Sequence, residues 1–455
     1  MELAQRKTPP LPAPLIPVVG FAAVIFAGSL ALWAIPTRTD THIPFLDAVF
    51  MATSATCVTG LSLYDIGTLF RPSAQGVLLA LIQVGGLGIM VFSTVLLMAL
   101  GQRVSFQSRF LLQDTYTYGP SAHLGRLIGH VVLFTALIEG AGAVSLAGAF
   151  LQRMPPGEAV FHAVFHSVSA FCNAGFSLFA DSLMGFHDSP VVLLTMAGLI
   201  ISGGLGFLVL HETARALRTR KPWRRLSLHS KLAVTTTIFL LLFGTVFFLG
   251  TEWTNTLAGL PLHGKILASF FQSTTTRTAG FNSLDFSLMK EVTLLGTILL
   301  MFVGACPGST GGGVKTTTVA VLVALSRARL KGSPCVHAFK RTISEETLRR
   351  AFSVFVLSAV VVVLGTAFLL ASELGRLQVP EGRGRFLDLL FEATSAFGTV
   401  GLSLGATPTL SSWGKVTVIA LMFIGRLGPL VLAAAIQPTT RTSRYEYAEE
   451  PVMIG

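Results

Sequence analysis

Charge is scarce in this 455-residue chain. Asp, Glu, Lys and Arg make up 12% of it and hydrophobic residues 52%, against about 25% charged residues in a soluble globular domain. With a mean hydropathy of +0.69, water is not its main solvent. Cysteine is rarer still. Cys57 and Cys172 lie in glycine-bearing loops, Cys306 in a later glycine run and Cys335 in a basic loop, which excludes both a disulfide framework and metal-ligand spacing. The ten histidines are dispersed, with no clustered nucleophile, base or metal ligands, which argues against a membrane enzyme. His162 and His166 sit four apart on one helix face, but no third ligand is near and they read as structural. Acidic residues are outnumbered, 22 against 33 Lys and Arg. No basic domain stands free of the apolar segments, so the +11 charge is a topology signal and no nucleic acid is expected as a partner.

Long apolar stretches are what the chain has in quantity: 15–35, 76–100, 127–151, 190–210, 232–249, 292–303, 351–371 and 416–436. Most reach the roughly 20 residues a helix needs to cross a hydrocarbon core. The first is long and follows a Pro-rich tail, 9–17, so it reads as a spanning helix and not as a cleaved signal.

Between these stretches a short cassette recurs four times. Phe50, Phe165, Phe270 and Phe391 each stand ten residues before a glycine, respectively Gly60, Gly175, Gly280 and Gly401. A hydroxyl residue, Ser54, Ser169, Thr274 or Ser395, stands six before it, and Leu61, Phe176, Phe281 or Leu402 follows. Four copies 105 to 121 residues apart suggest four equivalent walls around one axis. The apolar run before each glycine is about 12 residues, too short to span, and reads as a re-entrant helix: 45–56, 160–171, 266–276 and 386–397. Irregular backbone survives at membrane depth only where protein shields it or a water-filled cavity faces it.

The glycine segments read Cys57-Val58-Thr59-Gly60, Cys172-Asn173-Ala174-Gly175, Arg277-Thr278-Ala279-Gly280 and Gly398-Thr399-Val400-Gly401. Side chains differ while the backbone pattern is shared. A dehydrated cation needs carbonyl oxygens in place of its water shell, and glycine tolerates the φ and ψ that aim successive carbonyls at one axis. Each short helix would also turn its negative carboxyl end toward the centre. Tight turns between packed helices are the plainer alternative for any single glycine; four in register favour an ion filter.

The expected fold is therefore an all-α integral membrane protein of four tandem helix, pore-helix, helix repeats with pseudo-fourfold symmetry around one central pore. The repeats cover 15–100, 123–215, 229–327 and 345–437, between tails 1–14 and 438–455. Two full crossings per repeat make them parallel, not inverted, which argues against a secondary carrier. Arg215, Arg218, Arg220, Lys221, Arg224, Arg225 and Lys231 fill one boundary, and Arg327, Arg329, Lys331, Lys340, Arg341, Arg349 and Arg350 another. By the positive-inside rule these loops are cytoplasmic, as are both termini, which carry Arg6, Lys7, Arg441 and Arg444. The loops beside the cassettes carry Asp40, Asp65, Asp181, Asp188, Glu252 and Asp285, an acidic bias that attracts cations.

The second long helices share a mark, Gly85-Gly86-Leu87-Gly88, Gly203-Gly204-Leu205-Gly206 and Gly425-Arg426-Leu427-Gly428. In the first two the small residues read as close helix packing. The corresponding region of the third repeat, 304–318, is rich in Gly and broken by Pro307, so it should unwind and cross the conduction path as a mobile barrier. It is no nucleotide P-loop, since Val314 separates Gly313 from Lys315. Arg426, a cation in an apolar helix, is expected to face the pore and gate with that loop, its rival role being a tie to a carboxylate or to helix ends. Arg277 is expected to turn behind the filter toward a carboxylate, with Glu392 the candidate, and Glu139 needs a partner the sequence does not name.

These segments resemble the Trk, Ktr and HKT superfamily of potassium transporters over nearly the whole chain, and most closely its Ktr-type membrane subunit. Val58, Thr59 and Gly60, Asn173, Ala174 and Gly175, Thr278, Ala279 and Gly280, and Thr399, Val400 and Gly401 look like its four filter segments. The run containing Gly311, Gly312, Gly313 and Lys315 looks like its intramembrane gating loop, with Arg426 as the companion gate. Cys57 and Cys172, which head two segments, depart from the pattern and leave ion preference open. The resemblance implies uptake of K+ across the plasma membrane, activation by Na+ and no tightly bound cofactor. It also implies a homodimer on a ring of cytoplasmic nucleotide-binding, KtrA-like regulatory subunits. The basic loops and the tail with Tyr445 and Tyr447 suit docking to that ring or to anionic membrane lipid. A Na+-conducting or weakly selective relative is the nearest alternative; the filter serine associated with that branch is absent.

Overall fold

Proline precedes three of the four short helices, and bulky apolar residues bury all four. In the computed structural model, which describes residues 15–99, 120–217, 219, 222–374 and 385–428, the first three long elements are α1 (Leu15–Ala34), α2 (Phe45–Thr56) and α3 (Pro72–Ala99). They are followed by α4 (Pro120–Phe150), α5 (Pro156–Phe171) and α6 (Pro190–Leu205), with α7 (Phe207–Leu217) continuing from α6. Next come α8 (Leu228–Glu252), α9 (Leu262–Thr275), α10 (Glu291–Phe302) and α11 (Thr316–Leu330). The described chain closes with α12 (Glu345–Leu374), α13 (Arg385–Gly398) and α14 (Ser412–Leu427). Both tails, Arg218, Arg220, Lys221 and the end of the expected last span, to 436, lie outside the described residues.

Pro44, Pro155 and Pro261 precede the first turns of α2, α5 and α9, where a missing N–H costs nothing and a preset φ helps. Within α2, α5 and α13, Phe50, Phe165 and Phe391 are wholly buried. The third copy differs from expectation: Phe271 is buried and Phe270 only partly so. The hydrogen bonds shift the same way. Ser54 and Ser395 accept from the N–H of Gly60 and Gly401 at 3.1 Å, but in α9 it is Thr275, not Thr274, that accepts, from Phe281 N–H at 2.8 Å. A one-residue change of register turns a helix by about 100°, which carries the buried stripe from 270 to 271.

Among the described residues, four helices are long and apolar enough to cross a membrane, Pro17–Ala34, Ile128–Phe150, Leu228–Glu252 and Glu345–Glu373, or up to five spans if the bent pair α6 and α7 counts as one. The expected continuous span 190–210 is corrected by that bend. The chain turns 105° between α6 and α7 at Gly206, whose φ of +79 ends the helix. The second long helix of one triplet packs on the short helix of the next: α3 on α5, α6 on α9, α10 on α13, and α14 back on α2. That cycle brings the ends of the four short helices together. Between α10 and α11 the chain is irregular from 303 to 315, pinned by a parallel bridge of Val303 with Val314; helix resumes at Thr316, earlier than the expected loop end at 318.

Candidate functional site

The four glycine segments adopt one unusual backbone. Val58, Asn173, Thr278 and Thr399 have φ of +56, +60, +66 and +49, and Gly60, Gly175, Gly280 and Gly401, two residues on, have +98, +70, +77 and +89. In the first, second and fourth copies the turn begins as a Schellman motif. Thr59, Ala174 and Val400 donate to the carbonyls of Ser54, Ser169 and Ser395 at 2.8, 2.7 and 2.8 Å. The conformation suits glycine, but β-branched Val58, Thr278 and Thr399 hold it under strain of about 1–3 kcal/mol each. The sequence points to these four residues within the glycine segments but not to their left-handed conformation, because side-chain identity hides a backbone shared by Val, Asn and Thr.

The segments approach one another in cyclic order. A Cβ on Gly60 would lie 2.5 Å from Ala174 O, one on Gly175 2.9 Å from Ala279 O, one on Gly280 2.5 Å from Val400 O, and one on Gly401 2.1 Å from Thr59 O. Each glycine thus faces the carbonyl preceding the next, and no side chain fits at any of the four. The hydroxyl that closes the turn varies: in the second copy Ser169 Oγ donates to Phe176 O at 2.8 Å. Beyond the glycines the short helices brace the chain as it leaves. His166 meets Ser177 Oγ at 2.9 Å, and Glu392 accepts from Ser403 Oγ at 2.8 Å and from Thr407 Oγ1. His162, one turn before His166, stacks on it at 5.9 Å, and its buried Nδ1 has no hydrogen-bond partner among the described residues.

On the other side of the left-handed residues lies the irregular stretch. Gly312 N–H donates to Thr399 Oγ1 at 3.0 Å, and a Cβ on Gly311 would lie 2.1 Å from Thr278 Oγ1. Thr310 Oγ1 donates to Phe171 O at 3.1 Å, and Lys315 Nζ folds back on Gly311 O at 2.6 Å. Arg426 is buried, with Nη2 donating to Gly85 O at 2.8 Å and Nη1 to Thr310 O. Its guanidinium therefore ties the stretch to α3, through carbonyls and not a carboxylate. Gly313, at φ +66, turns the chain toward α11.

The glycine marks serve two purposes. A Cβ on Gly85, Gly203 or Gly425 would fall 1.9, 1.8 or 1.8 Å from the carbonyl oxygen ending its own short helix, at Thr56, Phe171 and Phe397. Close packing, as the sequence suggested, fits the first mark, whose Gly85 carbonyl also receives Arg426 Nη2. The second mark also seats the irregular stretch: Cys306 and Thr310 donate their N–H groups to the carbonyls of Gly204 and Gly203 at 3.0 and 3.2 Å, and a Cβ on Gly206 would lie 2.5 Å from Gly308 O. Nothing local in the sequence separates that role from ordinary helix packing.

Two expected pairings are resolved. Arg277 does not reach Glu392; its Nη2 donates to Gly304 O at 3.2 Å and its Nη1 has no partner. Arg277 sits at the carboxyl end of its short helix beside the irregular stretch, whereas Glu392 is one and a half turns back and is satisfied by hydroxyls. Glu139 accepts from Gln83 Nε2 at 3.2 Å, linking α4 to α3. An ion pair the sequence did not signal, Lys415 with Asp47 at 2.6 Å, joins α14 to α2, with Tyr64 Oη on the other carboxylate oxygen at 2.5 Å.

Strained, carbonyl-bearing turns at the carboxyl ends of four buried helices, set among apolar spans, define a helical membrane protein with irregular backbone sheltered in its interior. The chain matches the TrkH family, described as a cation transport protein, over residues 15–445, and it belongs to that family of multi-pass membrane proteins. It is 38% identical to Ktr system potassium uptake protein B of Bacillus subtilis (strain 168), over 99% of this chain and 97% of the relative. It is 34% identical to the potassium/sodium uptake protein NtpJ of Enterococcus hirae, over 98% and 97%. The crystal structure of the potassium transporter TrkH from Vibrio parahaemolyticus shares its fold, with a TM-score of 0.76 at 20% identity, covering 96% of this chain and 87% of that one.

Proposed function

We propose that the chain takes up K+ through one pore, lined by four repeats, 15–100, 123–215, 229–327 and 345–437, arranged with pseudo-fourfold symmetry. The carrying observation is the same pair of left-handed residues in all four segments, with each glycine facing the carbonyl of the next copy. Val58, Thr59 and Gly60, Asn173, Ala174 and Gly175, Thr278, Ala279 and Gly280, and Thr399, Val400 and Gly401 supply the carbonyl ligands that replace the water of K+. Gly311, Gly312, Gly313 and Lys315 form the barrier beneath them, and Arg426 holds it shut. The electrochemical gradient drives the ion.

The relatives' names favour potassium, and the name of the Enterococcus protein supports weaker selectivity against Na+ as the second reading. Activation by Na+, a homodimeric assembly and a cytoplasmic ring of nucleotide-binding subunits accord with the Ktr likeness. The distribution of basic residues supports plasma-membrane insertion with both termini cytoplasmic. The test is uptake of K+, Rb+ and Na+ into liposomes carrying the purified protein and its Gly401→Ser variant. Saturable K+ and Rb+ flux with little Na+, and a variant that loses the preference, is expected. Equal passage of all three ions, or a variant that behaves like the parent, would make the glycines purely structural.

A further inference from the structure

Away from the glycine segments, an open groove of 690 Å³ runs between α8 and α11, within the roughly 300–1,000 Å³ of small-molecule sites. Its floor is apolar, with Leu232, Leu240, Val319 and Val323 among the lining residues. One end is closed by a small hairpin, β1 (His337–Ala338) paired with β2 (Arg341–Thr342). There the lining turns basic, with Arg327, Lys331 and His337, all exposed, and no acidic residue contributes among the described residues. Neither Arg327 nor Lys331 makes an ion pair among the described residues.

Three further observations place this groove at the edge of a bilayer. Phe239, Leu242, Phe243 and Val246 continue outward along α8, each more than half exposed, as lipid-facing residues do. Trp223 and Phe339 meet edge to face at 5.8 Å beside the basic end, aromatic residues of the kind that anchor at a membrane surface. The hairpin tip, Phe339 and Lys340, has φ of +50 and +62, a strained turn that holds a bulky apolar and a basic side chain at that end.

We propose that this groove binds one anionic phospholipid of the leaflet next to the hairpin, its acyl chain lying between α8 and α11 and its phosphate on Arg327 and Lys331. Charge complementarity selects this occupant: a cationic rim over an apolar floor matches an anionic headgroup over a hydrocarbon tail, whereas a neutral lipid leaves the rim unanswered. The site lies on α11, the helix that begins directly after the irregular stretch 303–315. Binding is read without reference to transport, so the test stands whether or not the K+ reading survives.

The experiment is native mass spectrometry of the purified full chain titrated with palmitoyl-oleoyl phosphatidylglycerol or phosphatidylcholine. Each basic residue near a charged headgroup contributes about fivefold. Preference for the anionic lipid of roughly 25-fold is therefore expected, falling to near parity in Arg327→Gln/Lys331→Gln. Ala324→Phe, which narrows the groove and leaves the rim intact, should weaken both lipids together. Glycerol phosphate in excess should not displace the bound lipid. Equal affinity for both lipids in the parent chain, a preference unchanged in the double variant, or displacement by glycerol phosphate would overturn the proposal. So would efficient oxidative cross-linking between copies of a Val323→Cys variant carrying Cys335→Ser in lipid membranes, which would assign the groove to contact between chains.

Discussion

Glycine matters here by what surrounds it. Gly85 and Gly425 stand against carbonyl oxygens that a methyl group would overlap, while Gly148, in α4, has nothing within 4 Å of its added Cβ. Gly85→Ala and Gly425→Ala should therefore each cost about 1–3 kcal/mol or more through overpacking. Gly148→Ala should be neutral or stabilising by up to about 1 kcal/mol, because it removes backbone freedom from the unfolded chain. Thermal unfolding of the three variants in one detergent checks the sign of each change. Arg426 is the other decisive side chain. A glutamine there keeps one donor group but loses the fork that spans Gly85 O and Thr310 O. Arg426→Gln should raise Rb+ flux into liposomes several-fold, with Arg426→Lys intermediate; unchanged flux would remove the residue from the gate.

Helices are joined into a cycle by contacts far apart in the chain, and Lys415 with Asp47 makes the closing one, between α14 and α2. The two side chains are only 18% and 6% exposed. Breaking a pair this sheltered leaves a charge unanswered and should cost about 3–5 kcal/mol. Asp47→Asn should lower the unfolding temperature more than Asp47→Asn combined with Lys415→Gln, which leaves no orphan charge; a double-mutant cycle measures the coupling. Two carboxylates act similarly at the starts of second helices. Glu252 accepts from Lys290 N–H and Thr293 Oγ1 at 3.0 and 2.5 Å, and Glu373 accepts from Ser411 N–H and Oγ at 3.0 and 2.6 Å. Both carboxylates cap those helices.

At the scale of the whole molecule, chemical labelling of single cysteines reads which face of the membrane each loop meets. Of the four cysteines, Cys57, Cys172 and Cys306 are buried and Cys335 is exposed, on the basic side. A membrane-impermeant maleimide should label Cys335 in inverted vesicles and not in intact cells. In a Cys335→Ser background, Leu288→Cys, at a position 66% exposed beside the acidic Asp285, should show the reverse. Labelling of both from one face would invert or break the parallel arrangement of repeats.

Most of the fold was legible because membrane helices announce themselves through length and apolarity, and because a cassette repeated four times is visible without any partner. The limits of α2 are those the sequence suggested, and the irregular stretch after α10 falls where Pro307 and its glycines put it. Less could be read where the outcome depends on what lies across the interior. Phe271 took the place of Phe270, Arg277 found a carbonyl in place of Glu392, and Gly206 broke a span that composition alone would have continued. Apolar length and recurring glycine are properties of the chain taken in order, and they determined the class of the protein and where the four glycine turns fall. The register of a helix, the partner of a buried charge and the seat of the irregular stretch depend on atoms tens to hundreds of residues away, and only folding brings those within a few ångströms.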